Sequence, residues 1–145
     1  MRRKQLFAGF ALLILLVACT AEPQPIEYGS DACAFCQMTI VDRQHAAEMV
    51  TKKGKAFKYD AIECMIRDVN RNHDISQVAL LLITDFANAG HLIDAKKATY
   101  LISENIPSPM GANLSGFKDK SEAERVKNQE GGALFTWEQV LGKFK

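Results

Sequence analysis

The chain has 145 residues, 48 % of them hydrophobic and 24 % charged, with a formal net charge of +1. That length suits one domain or two very small ones. The composition excludes a disordered or collagen-like chain, and the near-neutral charge excludes the broad basic field of a nucleic-acid binder.

Arg2, Arg3 and Lys4 precede residues 6–17, an uninterrupted run of 12 apolar or small residues. A bilayer span needs roughly 20, so the run has the form of a secretory signal. It ends in Leu16-Val17-Ala18-Cys19. This resembles the bacterial lipoprotein signal box, in which the Cys is acylated and becomes the mature N-terminus. Residues 1–18 are therefore expected to be a signal peptide and Cys19 the lipidation site. Removing them leaves 127 residues with 15 basic and 17 acidic side chains, a net charge of −2. Three cysteines remain for protein chemistry: Cys33, Cys36 and Cys64. An odd number in an oxidising compartment points to a thiol kept for a purpose. A chain of this size buries a core without disulfides.

Residues 19–30 hold Pro23 and Pro25, little hydrophobicity and no periodicity, and read as a tether. The body begins near Asp31. Residues 37–42 and 46–52 read as two short strands, with a turn at 43–45 and a second turn at 53–55. Residues 56–59 form a third strand. Asp60 then has the chemistry of a helix N-cap. In 61–72, Ile62, Met65, Ile66 and Val69 make an amphipathic helical stripe. The run VALLLI, 78–83, fits a strand buried on both faces, followed by a loop at 84–90. Residues 98–103 read as a strand, and Pro107 and Pro109 then interrupt the chain. Residues 110–117 read as extended and 119–130 as an exposed helix capped by Asp119 or Ser121 and stopped by Gly131-Gly132. Residues 133–135 form a short strand, and Thr136 caps a last helix to Phe144. Strand, helix, strand thus occurs twice, around 46–83 and 98–135. The expected product is a compact α+β body, with two small lobes sharing a core.

The chemistry concentrates in Cys33-Ala-Phe-Cys36-Gln-Met38. Two thiols and a thioether within six residues are soft donors that select Cu(I), Zn(II) or an iron–sulfur cluster. Thioether is the discriminating member, since zinc sites use thiolate, imidazole and carboxylate. A second cluster is Glu63-Cys64-Met65, and a third is Met110 in Ser-Pro-Met-Gly. Pro109 stiffens the backbone before Met110, and Gly111 permits close approach after it. Met65 falls on the apolar stripe and reads as core. His45 and His73 read as solvated, and His91 is a weak ligand candidate. A thioredoxin-type centre has its CxxC opening a helix after a buried strand. Here a polar tether precedes the pair and a strand-like segment follows it. A four-Cys zinc site lacks a second CxxC, although a zinc or disulfide staple stays open for Cys33 and Cys36. Neither a Ser/His/Asp grouping, a phosphate loop nor HExxH is present in the sequence, so no enzyme signature emerges.

The lipoprotein signal, CxxCxM, YDAIECM, SPMGANLSGF and the ending GGALFTWEQVL together resemble the nitrous oxide reductase accessory lipoproteins, the NosL family. The resemblance covers the chain from Cys33 onward. It implies a membrane-anchored, periplasm-facing carrier of one Cu(I), supplying the copper–sulfide centre of nitrous oxide reductase and loaded by a copper-supplying donor protein. It implies a fold of two ββαβ-type lobes, about 31–90 and 91–145, similar to part of organomercurial lyase. It carries Cys33, Cys36, Met38, Cys64 and Met110 over as metal-site candidates, with Asp60 and Met65 adjacent. Cys64 with Met110 is the first-choice core. Cys33, Cys36 and Met38 are further ligands or a docking and redox element, whose disulfide would gate loading. Thr20 after Cys19 favours the outer membrane. The rival is a periplasmic thiol–disulfide oxidoreductase using Cys33 and Cys36.

Overall fold

The computed structural model describes residues 20–145. The signal segment 1–18 and Cys19 lie outside the described residues. Among those described, no helix is long and apolar enough to cross a membrane.

The first lobe comprises β1 (Ala47–Thr51), β2 (Ala56–Tyr59), α1 (Ile62–Asn72), β3 (Val78–Asp85) and β4 (Asn88–Asp94). Its sheet runs β2-β1-β3-β4, all antiparallel. The second comprises β5 (Thr99–Ile102), β6 (Leu114–Phe117), α2 (Lys120–Glu130) and β7 (Ala133–Phe135), with α3 (Trp137–Lys143) appended. Its sheet runs β6-β5-β7, also antiparallel. The two lobes share one plan. In each, the first strand lies between the second and the one that follows the helix. That is the ββαβ unit expected, built twice. β4 extends the first unit beyond the pattern. The lobe boundary expected near residue 90 falls inside β4, which pairs with β3.

The first half of α1 is buried all round: Ile62, Glu63, Cys64, Met65 and Ile66 are all shielded from solvent. A helix is hydrophobic round its whole girth only where it is covered on several sides. β1 and β2 pack on it from its own lobe and β6 from the other. Gly116 of β6 makes this closeness possible, because a Cβ there would collide with Ile83 and sit 3.5 Å from Ile62 Cδ1. Phe86 N donates to Gly116 O at 2.8 Å, stitching the two sheets together. His45 adds a second stitch. Its ring nitrogens meet Asp42 Oδ2 at 2.8 Å and Ser115 Oγ of β6 at 3.1 Å.

Several segments differ from expectation. Residues 37–42 are not a strand. Gln37 takes a left-handed φ of 66°, which turns the chain back so that Cys33 N donates to Met38 O at 2.8 Å. Only an isolated bridge, Ala32 with Thr39, remains of the pairing. In β3, Leu81 and Ile83 are buried but Ala79 is exposed. The run is apolar, yet one face is left partly open. The expected loop at 84–90 is a tight hairpin, with Asp85 opposite Asn88. A 3₁₀ turn at Ile75–Gln77, capped by Asp74, was not foreseen. Asp119 makes no side-chain cap for α2, whereas Thr136 caps α3 in a full capping box with Gln139.

Residues 20–30 are not a free tether. Gln24 N donates to Glu48 Oε1 at 2.7 Å, and Ile26 and Tyr28 pack on the core. Arg43 stacks over Tyr28, 4.5 Å from the ring centre. The segment is a strap across the β1 face that carries Glu48. Two apolar side chains and one buried carboxylate overcome the prolines' bias to an extended linker.

Candidate metal centre

The Cys33–Cys36 turn and the start of α1 meet at the end of β2. Ala34 N donates to Lys58 O at 2.8 Å, tying the turn to the strand. The chain then runs through Tyr59, Asp60 and Ala61 into α1. Asp60 was expected to cap that helix. The N-cap is instead Ala61, with no side-chain bond. The Asp60 carboxylate turns the other way and accepts from Cys36 Sγ at 3.3 Å. One ligand atom from each of Cys33, Cys36, Asp60 and Cys64 falls within 4.8 Å of all the others. All three described cysteines are free thiols. Cys33, Cys64 and Asp60 are buried, while Cys36 is half-buried.

The three sulfurs are not equivalent. The Cys64 thiol donates to Cys33, and the backbone amides of Cys36, Asp60 and Phe35 add to it. Together they overcome burial and lower the Cys33 thiol to about 6. Such a ring of donors favours the charged form. Cys36 is pushed up to about 11, first by burial and then by its bonds with Cys33 and Asp60. Cys64 is held well above the usual thiol range because it is the donor to Cys33. Of the three sulfurs, Cys33 is therefore the one the surroundings push toward the charged form, and Cys36 and Cys64 are pushed toward the thiol.

Met110 lies in the corner made by residues 108–113. It is partly buried and packs on the core cluster that contains Cys33 and Cys64. Glu63 grips this corner. Its Oε1 accepts from Ser108 Oγ in a short bond and from Ala112 N at 3.3 Å. Ser108 Oγ in turn accepts from Asn113 N at 2.9 Å. Gly111 and Asn113 take the positive φ values, 75° and 58°, that the corner requires. Met38 is 52 % exposed, a surface side chain on the far side of the Gln37 turn. Met65 is wholly buried in the core. His91 is exposed on β4 and lines a separate cleft with Asp94, Lys97 and Lys118. His45 and His73, expected in solvent, are instead bound to Asp42 and to Asp68. Asp42, His45 and Ser115 do form an acid–imidazole–hydroxyl line. Ser115 is fully buried, however, so the line pins the lobes and offers no nucleophile.

Sequence reasoning set Asp60 beside the candidate ligands but made it a helix cap, and it did not foresee that Glu63 grips the Met110 corner. Asp60 has an N-cap's position, and nothing local shows that Cys36 would claim its carboxylate. An acidic residue inside an otherwise apolar helix face was the one available signal for Glu63.

The sequence model of the NosL family matches residues 25–143. The chain belongs to the NosL family. A relative, the copper-binding lipoprotein NosL of Stutzerimonas stutzeri, is 26 % identical over 129 residues. The match spans 81 % of this chain but 66 % of that relative, just under two thirds of its length. The fold is similar to the crystal structure of the copper chaperone NosL from Shewanella denitrificans, with a TM-score of 0.71 at 22 % identity. That superposition covers 82 % of this chain and 95 % of the other. The NosL fold thus comprises the two ββαβ units with α1 held between them.

Proposed function

We propose that this NosL-family chain is a carrier of one Cu(I), held at the cluster of Cys33, Cys36 and Cys64 with Met110 as a thioether donor. The observation that carries the reading is the meeting of three free thiols and a carboxylate within 4.8 Å of one another. Soft sulfur suits Cu(I). A thiol whose proton is loosened, as that of Cys33 is by its neighbours, gives it up to an incoming metal at lower cost. Asp60 is a hard oxygen donor. It serves as the acceptor that keeps the Cys36 thiol turned into the cluster. Cys36, nearest to solvent, is the sulfur through which a partner exchanges the ion. Cys33 joins Cys64 as a leading ligand, since both buried sulfurs lie within the same 4.8 Å cluster. Met38 stands at the rim, where an exposed thioether can meet an incoming ion.

The name of the S. stutzeri relative, the signal box and Cys19 support a lipid-anchored protein facing the periplasm. Thr20 favours the outer membrane. Nitrous oxide reductase is the proposed acceptor, and a copper-supplying protein the donor.

The oxidoreductase alternative needs its low-pKa thiol exposed to attack a substrate disulfide. The arrangement is the reverse: the low-pKa sulfur is the buried Cys33, and the reachable one, Cys36, is raised.

The test is an anaerobic Cu(I) titration of reduced residues 20–145 against a chromophoric chelator, with native mass spectrometry for stoichiometry. One ion bound tightly, weakened at least tenfold by Cys33→Ala and by Cys64→Ala and less by Met110→Leu, supports the carrier. Affinity no better than that of a thiol peptide, with insulin-reducing activity lost in Cys36→Ala, gives the site to the oxidoreductase.

A further inference from the structure

The strap that replaces the expected tether determines where a lipid at Cys19 would hold the body. Thr20, the next residue in sequence, has its carbonyl against Gly54 in the β1–β2 turn, 3.5 Å from where a Cβ would sit. Gln24 is fixed to Glu48. No slack chain remains between the acylation site and the sheet. The turn beside Thr20 is Lys52-Lys53-Gly54-Lys55, and all three lysines are exposed. Lys52 N donates to Gln77 O at 2.8 Å, which brings the 3₁₀ turn of Ile75 to the same end. Ile75 is 51 % exposed, one of three large apolar side chains so placed among the described residues. Glu22 and Asp74 also lie here. Glu22 accepts from Thr20 Oγ1, and Asp74 caps the 3₁₀ turn and feels the charge of Lys52. Lys53 and Lys55 are left facing outward, with Lys55 folded over Phe57.

We propose that this end, the Lys52–Lys55 turn with Ile75, rests on an anionic phospholipid surface and sets the orientation of the anchored body. The inference builds on acylation of Cys19. The anchor supplies the binding, and the turn needs only to bias one orientation over others. Each basic residue at an anionic surface favours contact by about fivefold, enough for that task once the lipid has made the encounter intramolecular. Ile75 reaches the headgroup boundary as an apolar side chain beside basic ones does. The consequence for the metal centre follows from β2. The turn is at one end of that strand and Asp60 at the other, five residues from Lys55. At about 3.3 Å per residue the thiol cluster stands up to about 17 Å from the headgroups, at the end of β2 away from them.

The experiment uses the full lipidated protein on vesicles, either pure phosphatidylcholine or phosphatidylcholine with phosphatidylglycerol. Flotation reports anchoring, and mass-spectrometric acetylation of lysines reports which face is covered. Lys120 and Lys127 on α2 serve as internal standards. On phosphatidylglycerol vesicles, Lys53 and Lys55 should be acetylated at least threefold more slowly than in detergent, with Lys127 unchanged. Ile75→Ser should partly restore their reactivity. Flotation with Lys53 and Lys55 fully reactive overturns the orientation while leaving the anchor intact. Equal protection on both vesicle types overturns recognition of anionic headgroups. Failure to float overturns the anchor and the orientation with it, whereas the copper titration above is unaffected by either result.

Discussion

Gly116 is a point at which the second lobe meets both β3 and α1, and its replacement tests how that lobe packs on the helix that carries Cys64. In Gly116→Ala the new methyl would overlap Ile83 Cδ1 and lie 3.4 Å from Ile83 Cγ1 and 3.5 Å from Ile62 Cδ1. Both isoleucines are fully buried, so the clash cannot be relieved by a swing into solvent. Adding one methyl to a closed core costs about 1–3 kcal/mol. At this chain length that corresponds to a fall in Tm of roughly 5–12 °C. The obstructing atom is a single side-chain terminus, which gives the argument a second arm. Ile83→Val removes that atom and alone costs about 1 kcal/mol. In the double variant the alanine methyl occupies the space left by Cδ1. The pair should therefore lie closer to wild type than the sum of the singles predicts, by about 1–2 kcal/mol. Gly142→Ala is the control. Gly142 is helical and exposed, and a Cβ there meets nothing within 4 Å, so the change should stabilise by about 0.5–1 kcal/mol. Thermal and urea unfolding of residues 20–145 measure all four. Additive behaviour of Gly116→Ala and Ile83→Val, or a neutral Gly116→Ala, would refute the close contact of β6 with β3.

Glu63→Ala should destabilise by about 2 kcal/mol, because Ser108 and Ala112 lose their buried acceptor. Amide exchange at Ala112 and Asn113 should speed up with it, and Glu63→Gln, which keeps an acceptor oxygen, should recover most of both; unchanged exchange would detach Glu63 from the Met110 corner. The Cys33 thiol is depressed in the fold, so its contribution to stability is complete above the usual thiol value and is lost as pH falls through about 6. Thiolate absorbance at 240 nm should accordingly show one thiolate at pH 7.5 that titrates near pH 6, and Cys64→Ala should move that step upward by removing the principal donor. Thr136→Ala breaks the capping box of α3 and should cost about 1 kcal/mol, read as a lower urea midpoint with an unchanged slope.

Much of the frame was legible because local rules govern it. The stripe of Ile62, Met65, Ile66 and Val69 marked α1, and Thr136 marked the start of α3. The thiols were legible as a chemical class, since two lie three residues apart and the third flanks an acid. Their company was not. Asp60 and Cys36 are 24 residues apart, and the bond between them rests on the Gln37 turn, a left-handed residue that no glycine announces. Glu63 meets Ser108 across 45 residues, and His45 meets Ser115 across 70. The strap was misread for a related reason. Its prolines describe a linker when taken alone, and only Glu48, beneath it on another strand, makes Gln24 part of the fold.

The cover over α1 also has a timetable. Cys33, Cys36, Asp60 and Cys64 all belong to the first lobe, whereas β6, which closes the other side of the helix, ends at Phe117. A chain that emerges N-terminus first delivers all four groups more than fifty residues before β6 is complete and can cover the helix that carries Cys64. At the pace of synthesis, about 5–20 residues per second, the thiols stand uncovered for several seconds. Whatever reaches them in that interval, an oxidant, a reductant or the metal itself, meets an open cluster. Later arrivals meet a folded chain in which Cys36 alone of the three described thiols keeps some exposure.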